Sequence, residues 1–363
     1  MNEEEASYEK ALAWYDRSKS IMKRSGSADR KMEARIMLRV GMVKFAMDDW
    51  TEGLRLVSEA REMLLAVLGP DHEELAECVH SCGLVHLKTA NAAEARDCFR
   101  SALKIRRNRL HHDDPALGDS LHGLGVSLLE LQRLEDANIC LQEALRLRLH
   151  NYGDSHPAVG ETHRFLGQVE LGLGQHRLSM DHFQEAIRVG MAELNTRSIS
   201  DGDYKDLNSC FEAAISLSRR GVYPERLGKL FHEQGTLQTA KDRYRDALNS
   251  FTEAIQVYKS LHGEEHLNVA NALFNVGVCL KETGDIDRAM KCFSRALSIT
   301  SSQLGEDHEQ VAETLQQMAE VYNLKNDTRG AIKWCEKALQ VRRYKEDHAL
   351  ATLLNFAGEL VSV

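Results

Sequence analysis

The chain has 363 residues, 43% of them hydrophobic, 28% charged and 6% aromatic, and 46 Lys+Arg against 55 Asp+Glu leave a net charge of −9. That much apolar surface offsets chain entropy, so the chain folds, and the acidic balance argues against a phosphate-binding domain and hence against a nucleic-acid partner. Only 4 prolines occur, and because helix interiors exclude proline the composition already points to an all-α chain.

Nothing resembles a run of about 18 apolar residues, so no membrane insertion is expected. The acidic start, Met1-Asn2-Glu3-Glu4-Glu5, lacks the apolar centre of a secretory signal, and a cytoplasmic location is the expectation. The eight cysteines, Cys78, Cys82, Cys98, Cys140, Cys210, Cys279, Cys292 and Cys335, form no CxxC pair. They read as buried small hydrophobes rather than as a disulfide or zinc framework. The first predicted element runs from Tyr8 to Met22 and is a lone helix that covers the N-terminal end, residues 1–29.

Beyond it the sequence repeats. With position zero at His72, Asp114, His156, Pro224, His266 and His308, the intervals are 42, 42, 68, 42 and 42. Small residues recur at +4 (Ala76, Gly118, Gly160, Gly228, Ala270, Ala312) and at +11 (Gly83, Gly125, Gly167, Gly235, Gly277, Ala319). They recur again at +23, from Ala95 to Ala331, and at +30, from Ala102 to Ala338. Large ones occupy +27 (Phe99, Leu141, Phe183, Phe251, Phe293), with Cys335 in the last unit. Positions +4, +7 and +11 share one face of a first helix, and +23, +27, +30 and +31 one face of a second. Each unit is therefore a helical hairpin that buries its apolar face only by stacking on a neighbour.

The segments Gly69-Pro-Asp-His72, Gly153-Asp-Ser-His-Pro157, Gly263-Glu-Glu-His266 and Gly305-Glu-Asp-His308 precede the first helices. Pro115 and Pro157 suit a first turn, Asp71, Asp114 and Asp307 suit N-caps, and the recurring histidines are expected to cap and pack the turn. This pattern resembles the tetratricopeptide repeat, in the 42-residue form found in kinesin light chains and nephrocystin-3-like proteins. The resemblance implies an α-solenoid of stacked antiparallel helix pairs, a superhelix of about seven repeats ended by half-repeat helices.

In chain order, four units span 30–197, an irregular insert with one extra helix spans 198–223, three units span 224–347, and a lone helix at His348–Leu360 closes the end (348–363). Within the insert, Asp203 to Ile215 matches Arg243 to Ile255 at an offset of 40. The insert thus reads as a repeat that kept its second helix and lost its first, and either a kink or two sub-solenoids of about four and three units are expected there. The loop from Asn195 to Asp203 is polar, and Ser198 with Asp201 offers a phosphorylation site as an alternative to a plain linker.

No GxSxG, GxGxxG, P-loop or HExxH motif occurs. His111-His112-Asp113-Asp114 sits at a turn and Cys78 and His80 point to different helix faces, so no catalytic residue, metal site or cofactor is expected. The resemblance implies that first helices line a concave groove for a partner segment. Its exposed positions are +2, +5, +9 and +12, flanked by +8. At +5 stand Glu77, Asp119, Glu161, Lys229, Asn271 and Glu313, and at +8 His80, His122, Arg164, His232, Phe274 and Gln316. An acid at +5 with His or Arg at +8 recurs in three consecutive units. That is either a set of helix-stabilising i,i+3 pairs or a recognition track, whose histidines would respond to pH between about 5 and 8. At +9 the kinesin-light-chain-like pattern has Asn, which Asn275 matches and Phe165 does not. Lys229, Asn271 and Asn275 suggest a clamp for a C-terminal carboxylate, but Glu233 and Glu313 would repel it. The expected partner is a neutral or basic protein segment. Rival readings are an assembly subunit of a motor or ciliary complex, working through its convex face or ends, and a regulator of a partner enzyme.

Overall fold

The computed structural model describes residues 3–24, 29–194, 200–342 and 354–358. Every regular element among them is helical, and none is long and apolar enough to cross a membrane. The chain divides into two units, Met1–Val189 and Gly190–Val363. The first holds α1 (Glu3–Arg24), α2 (Arg30–Ala46), α3 (Trp50–Leu68), α4 (Glu73–Lys88), α5 (Ala92–Arg109), α6 (Pro115–Glu130), α7 (Leu134–Tyr152), α8 (Pro157–Gly172) and most of α9 (His176–Leu194). The second holds α10 (Asp201–Arg219), a 3-10 turn at Pro224–Arg226, α11 (Leu227–Thr239), α12 (Tyr244–His262), α13 (Leu267–Glu282), α14 (Ile286–Leu304), α15 (Glu309–Leu324) and α16 (Thr328–Val341).

Inside each unit consecutive helices pack as antiparallel pairs, α2 on α3, α4 on α5 and α6 on α7, and likewise α11 on α12, α13 on α14 and α15 on α16. Each pair then lies on the next, through α3–α4, α5–α6 and α7–α8 in one unit and α12–α13 and α14–α15 in the other. This is the stacked all-α class that the period dictates.

The Gly-x-x-His segments resolve into two caps. Gly69, Gly153, Gly263 and Gly305 close α3, α7, α12 and α14 with φ of 81°, 80°, 89° and 90°, a backbone setting open chiefly to glycine. Where His111 replaces that glycine, α5 stops earlier, at Arg109. The imidazole Nδ1 of His72, His156, His266 and His308 then accepts the amide two residues on, at 3.2 Å each time. Capping is thus what these histidines do. Of the three aspartates expected to cap, Asp114 does so, accepting the Ala116 amide at 2.9 Å, whereas His72 and His308 hold the N-cap positions beside Asp71 and Asp307.

The columns fit as volumes. Phe99, Phe183, Phe251 and Phe293 are fully buried, and a Cβ added to Gly83, Gly167, Gly235 or Gly277 would fall 2.7 to 2.8 Å from the facing ring. In the last unit both sizes move together, Ala319 at +11 facing the small Cys335 at +27 in one cluster. None of the eight cysteines is in a disulfide, and six are buried.

The insert contains a helix of second-helix character. In α10 Leu207, Cys210, Phe211, Ala214 and Ser218 are buried, and in α12 so are Ala247, Ser250, Phe251, Ala254 and Tyr258, at the same offset of 40. Ser200 and Asp203 form a capping box at its start, so Asp201 to Asp203 are helix rather than loop. Ser198 lies outside the described residues. The following unit departs from the expected start at Pro224: Tyr223 takes a left-handed φ of 51°, a 3-10 turn follows, and α11 begins only at Leu227 with no side-chain cap. At the N-terminal end α1 packs on α2, with Ala11 and Tyr15 half-buried. Of the predicted C-terminal helix, residues 354–358 are described and helical, with Phe356 and Ala357 packed against the α15–α16 core cluster that includes Val311, Leu315 and Cys335.

Candidate functional site

Helical geometry places +5 outward on each first helix, and the acids there are exposed or half-exposed. Their partners stand on neighbouring helices. Arg39 of α2 donates to Glu77 of α4 at 2.9 Å, and Arg148 of α7 donates to Asp119 of α6 at 2.9 Å. Glu161 of α8 lies 3.4 Å from both His122 Nε2 and Arg148 Nη1. Next to this row, Arg35 grips Glu74 through Nε at 2.8 Å and Nη2 at 2.7 Å. Burial disfavours the Glu161 charge, but the His122 contact and Arg148 outweigh it and hold the carboxyl near about 2. The +5 acids are thus tied between helices, where the i,i+3 spacing had suggested pairs along each helix.

The +8 side chains do not flank the groove. His80, His232 and Phe274 pack edge-on against Phe99, Phe251 and Phe293, at 5.1, 5.3 and 5.7 Å between centroids. His122, 7% exposed, faces Phe165 at 5.4 Å. Position +8 lies four residues after +4 and three before +11, on the packed face. Burial pushes His80 down to about 4 and lowers His122 and His232 as well. His80 is therefore neutral above about pH 5, and burial favours the neutral form of His122 and His232, which works against the pH response expected of these positions. Positions +9 and +12 are mixed: Ser81, Gly123 and Val126 are buried, Thr236 is exposed and the rest are half-buried.

The remaining candidates separate. Arg164 lies over the Phe165 ring at 4.1 Å. In the second unit Lys229 is exposed, 3.5 Å from Glu233, a neighbour that already engages the cation a carboxylate clamp would need. Asn275 Nδ2 meets His232 Nε2 at 3.2 Å. Asn271 is half-buried on α13, and Glu313 is exposed on α15. Lys281 bridges to Gln317 at 2.9 Å and to Glu320 at 2.6 Å.

Sequence reading missed two polar centres. Arg106 and Arg148, 8% and 6% exposed, stand at +34 and reach into the next first helix. Arg106 donates to the Ala116 carbonyl at 2.8 Å and to Ser120 Oγ at 2.7 Å, and Arg148 to the Ala158 carbonyl and Thr162 Oγ1, both at 2.9 Å. The signal was a hydroxyl at +6 following each arginine, against Cys78 after Leu64 and Ala272 after Tyr258. The second centre is His163 Nδ1, 2.7 Å from His182 Nδ1, with His182 Nε2 3.5 Å from the buried Glu170. Burial, with the His182 charge, pushes His163 down to about 4. Its signal was a histidine in a +7 column otherwise apolar (Val79, Leu121, Phe231, Leu273, Leu315).

His111, His112 and Asp113 bring three ligand atoms within 4.8 Å of one another. Both imidazoles are exposed, and Asp113 also faces Arg146 at 3.6 Å, so the group is a solvated turn. Cys78 turns its thiol to the Val57 carbonyl at 3.7 Å, away from His80.

The family model described as tetratricopeptide repeat matches residues 32–108, 116–190, 226–302 and 280–343. No curated protein matches the chain. Among solved structures, a Podosopora anserina protein of nearly identical TPR-like repeats, named for kinesin light chain, is 12% identical; the alignment covers 64% of this chain and 99% of that one at a TM-score of 0.34. The apo form of RapI is 14% identical over 86% of this chain and 98% of its own, at a TM-score of 0.41. BtubC from P. vanneervenii is 17% identical over 83% and 94%, at a TM-score of 0.28.

Proposed function

Because the chain belongs to the tetratricopeptide repeat family, we propose that it is a cytosolic, non-catalytic scaffold whose first helices hold a neutral or basic segment of a partner protein. The observation that carries this reading is the sharing of Arg148 between Asp119 and Glu161. One guanidinium serves two carboxylates, beside His122, whose burial favours its neutral form. On the α6–α8 surface a buried arginine thus fixes both outward carboxylates in place, with Arg164 also acting on Glu161. Fixed outward carboxylates favour ligands that present cationic groups or free backbone amides. Glu77 on α4 extends the row by one hairpin, and Lys229, Asn271, Asn275 and Glu313 give the second unit its own, more mixed surface.

The test begins with affinity purification of the full chain and mass spectrometry of what it retains. The partner segment is then titrated against the chain and against Asp119→Asn/Glu161→Gln, which removes charge while keeping shape. Binding weaker by about tenfold or more supports the reading. Unchanged affinity with intact helical signal rejects it.

A further inference from the structure

The second helices of the first unit carry a separate surface with the opposite charge. On α5, Arg96, Arg100, Lys104 and Arg107 follow at spacings of 4, 4 and 3 and share one helix face. Arg96 pairs with Asp97 at 2.8 Å. Arg100, Lys104 and Arg107 are exposed and have no hydrogen bond or ion pair among the described residues. Like charges at this spacing repel one another along the helix.

Beside these cations lies a cleft of about 730 Å³ that runs between α5 and α7 and is floored by α6. Leu103, Leu124, Leu128 and Cys140 line it. Ile139 of α7 stands in its wall and is 68% exposed. One rim thus offers unpaired cations over about 10 Å of helix, and the opposite wall offers Ile139 beside the Arg133–Asp136 pair, over a floor formed by Leu124 with the buried Leu103 and Leu128. A chain with a net charge of −9 has gathered three such cations at the edge of a cleft whose lining is part aliphatic and part polar.

We infer that the α5–α7 cleft docks an acidic amphipathic segment of a partner protein. Its carboxylates pair with Arg100, Lys104 and Arg107, and its aliphatic side chains cover Leu124 and Ile139. A nucleic acid fits less well. The lining residues include no aromatic ring for a base to stack on, and the net charge of the chain repels a polyanion. This surface is independent of the first-helix row and stands or falls without it.

The probe is a fluorescein-labelled peptide of two Glu-Leu-Glu-Glu-Leu-Glu repeats, titrated against the full chain and followed by anisotropy. The expected result is saturable binding that falls as salt is raised and weakens by about tenfold or more in Arg100→Glu/Lys104→Glu/Arg107→Glu. Ile139→Asp weakens it independently, and a peptide with Gln in place of Glu binds poorly. Circular dichroism checks the triple variant. If it loses helical signal, Arg100→Gln/Lys104→Gln/Arg107→Gln replaces it. The inference is overturned if the acidic peptide does not bind saturably, if the folded triple variant binds it as the parent does, or if oligo-dT binds more tightly than the peptide.

Discussion

Arg148 Nη1 donates to Thr162 Oγ1 at 2.9 Å, from α7 into the first turns of α8. Through the same guanidinium it holds the Ala158 carbonyl, Asp119 and Glu161. One side chain thus joins three consecutive helices of the first unit. Arg148→Ala removes the donor shared by these groups; Thr162 keeps its bonds to the Ala158 carbonyl and His122, and the two carboxylates regain water. A loss of about 2 kcal/mol in urea unfolding is expected, in the range for hydrogen bonds to a charged group. A change within a few tenths of a kcal/mol would mean that the stack does not depend on this contact.

Volume matching between +11 and +27 gives a second test. A Cβ on Gly277 would sit 2.7 Å from Phe293 Cε1. Gly277→Ala should therefore destabilise by about 1–3 kcal/mol through overpacking. Phe293→Cys, which copies the Ala319/Cys335 combination, should cost less on the Gly277→Ala background than on the parent. Additive costs in that double-mutant cycle would show that the two positions do not sense each other.

Acid should destabilise the chain in two stages. His80 and His163 are pushed down to about 4, burial being the first cause, from 6.5 in the unfolded chain. Above about pH 6.5 both states are neutral and nothing is lost. Between about 6.5 and 4 the unfolded chain takes up protons that the folded chain refuses, so stability falls. Glu74 and Glu161, held at about 2 against 4.5, add stability that disappears only as pH falls from about 4.5 to 2. His80→Phe, which reproduces the phenylalanine found at Phe274 in a later unit, should flatten the upper stage in urea titrations. An unaltered slope would assign the uptake to other groups.

The helical period, the caps and the Gly/Phe columns were legible because each is a local rule repeated at fixed spacing. His72 and Phe99 announce themselves by recurrence. The candidate site was legible only in outline. Glu77, Asp119 and Glu161 face outward as expected, since +5 is opposite the packed face. Their partners Arg39 and Arg148 were hidden, because each lies on another helix, about 30 to 40 residues away in sequence for Asp119 and Glu77. The +8 histidines were assigned to the rim although the i,i+4 and i,i+3 relations to +4 and +11 put them under it. Position +18 has positive φ in Asp48, Ala90, Gln132, Asp242 and Asn326, where no glycine marks the turn. The start of α11 was misplaced because Pro224 resembles a helix-opening proline while Tyr223 forces a 3-10 turn first.

Hydrogen exchange of the full chain with and without its purified neutral or basic partner tests the functional account most directly. The account predicts slowed exchange in α4, α6 and α8, around Glu77, Asp119 and Glu161, with second helices unchanged. Protection confined to second helices such as α5 and α7, with the first helices unaffected, would contradict it.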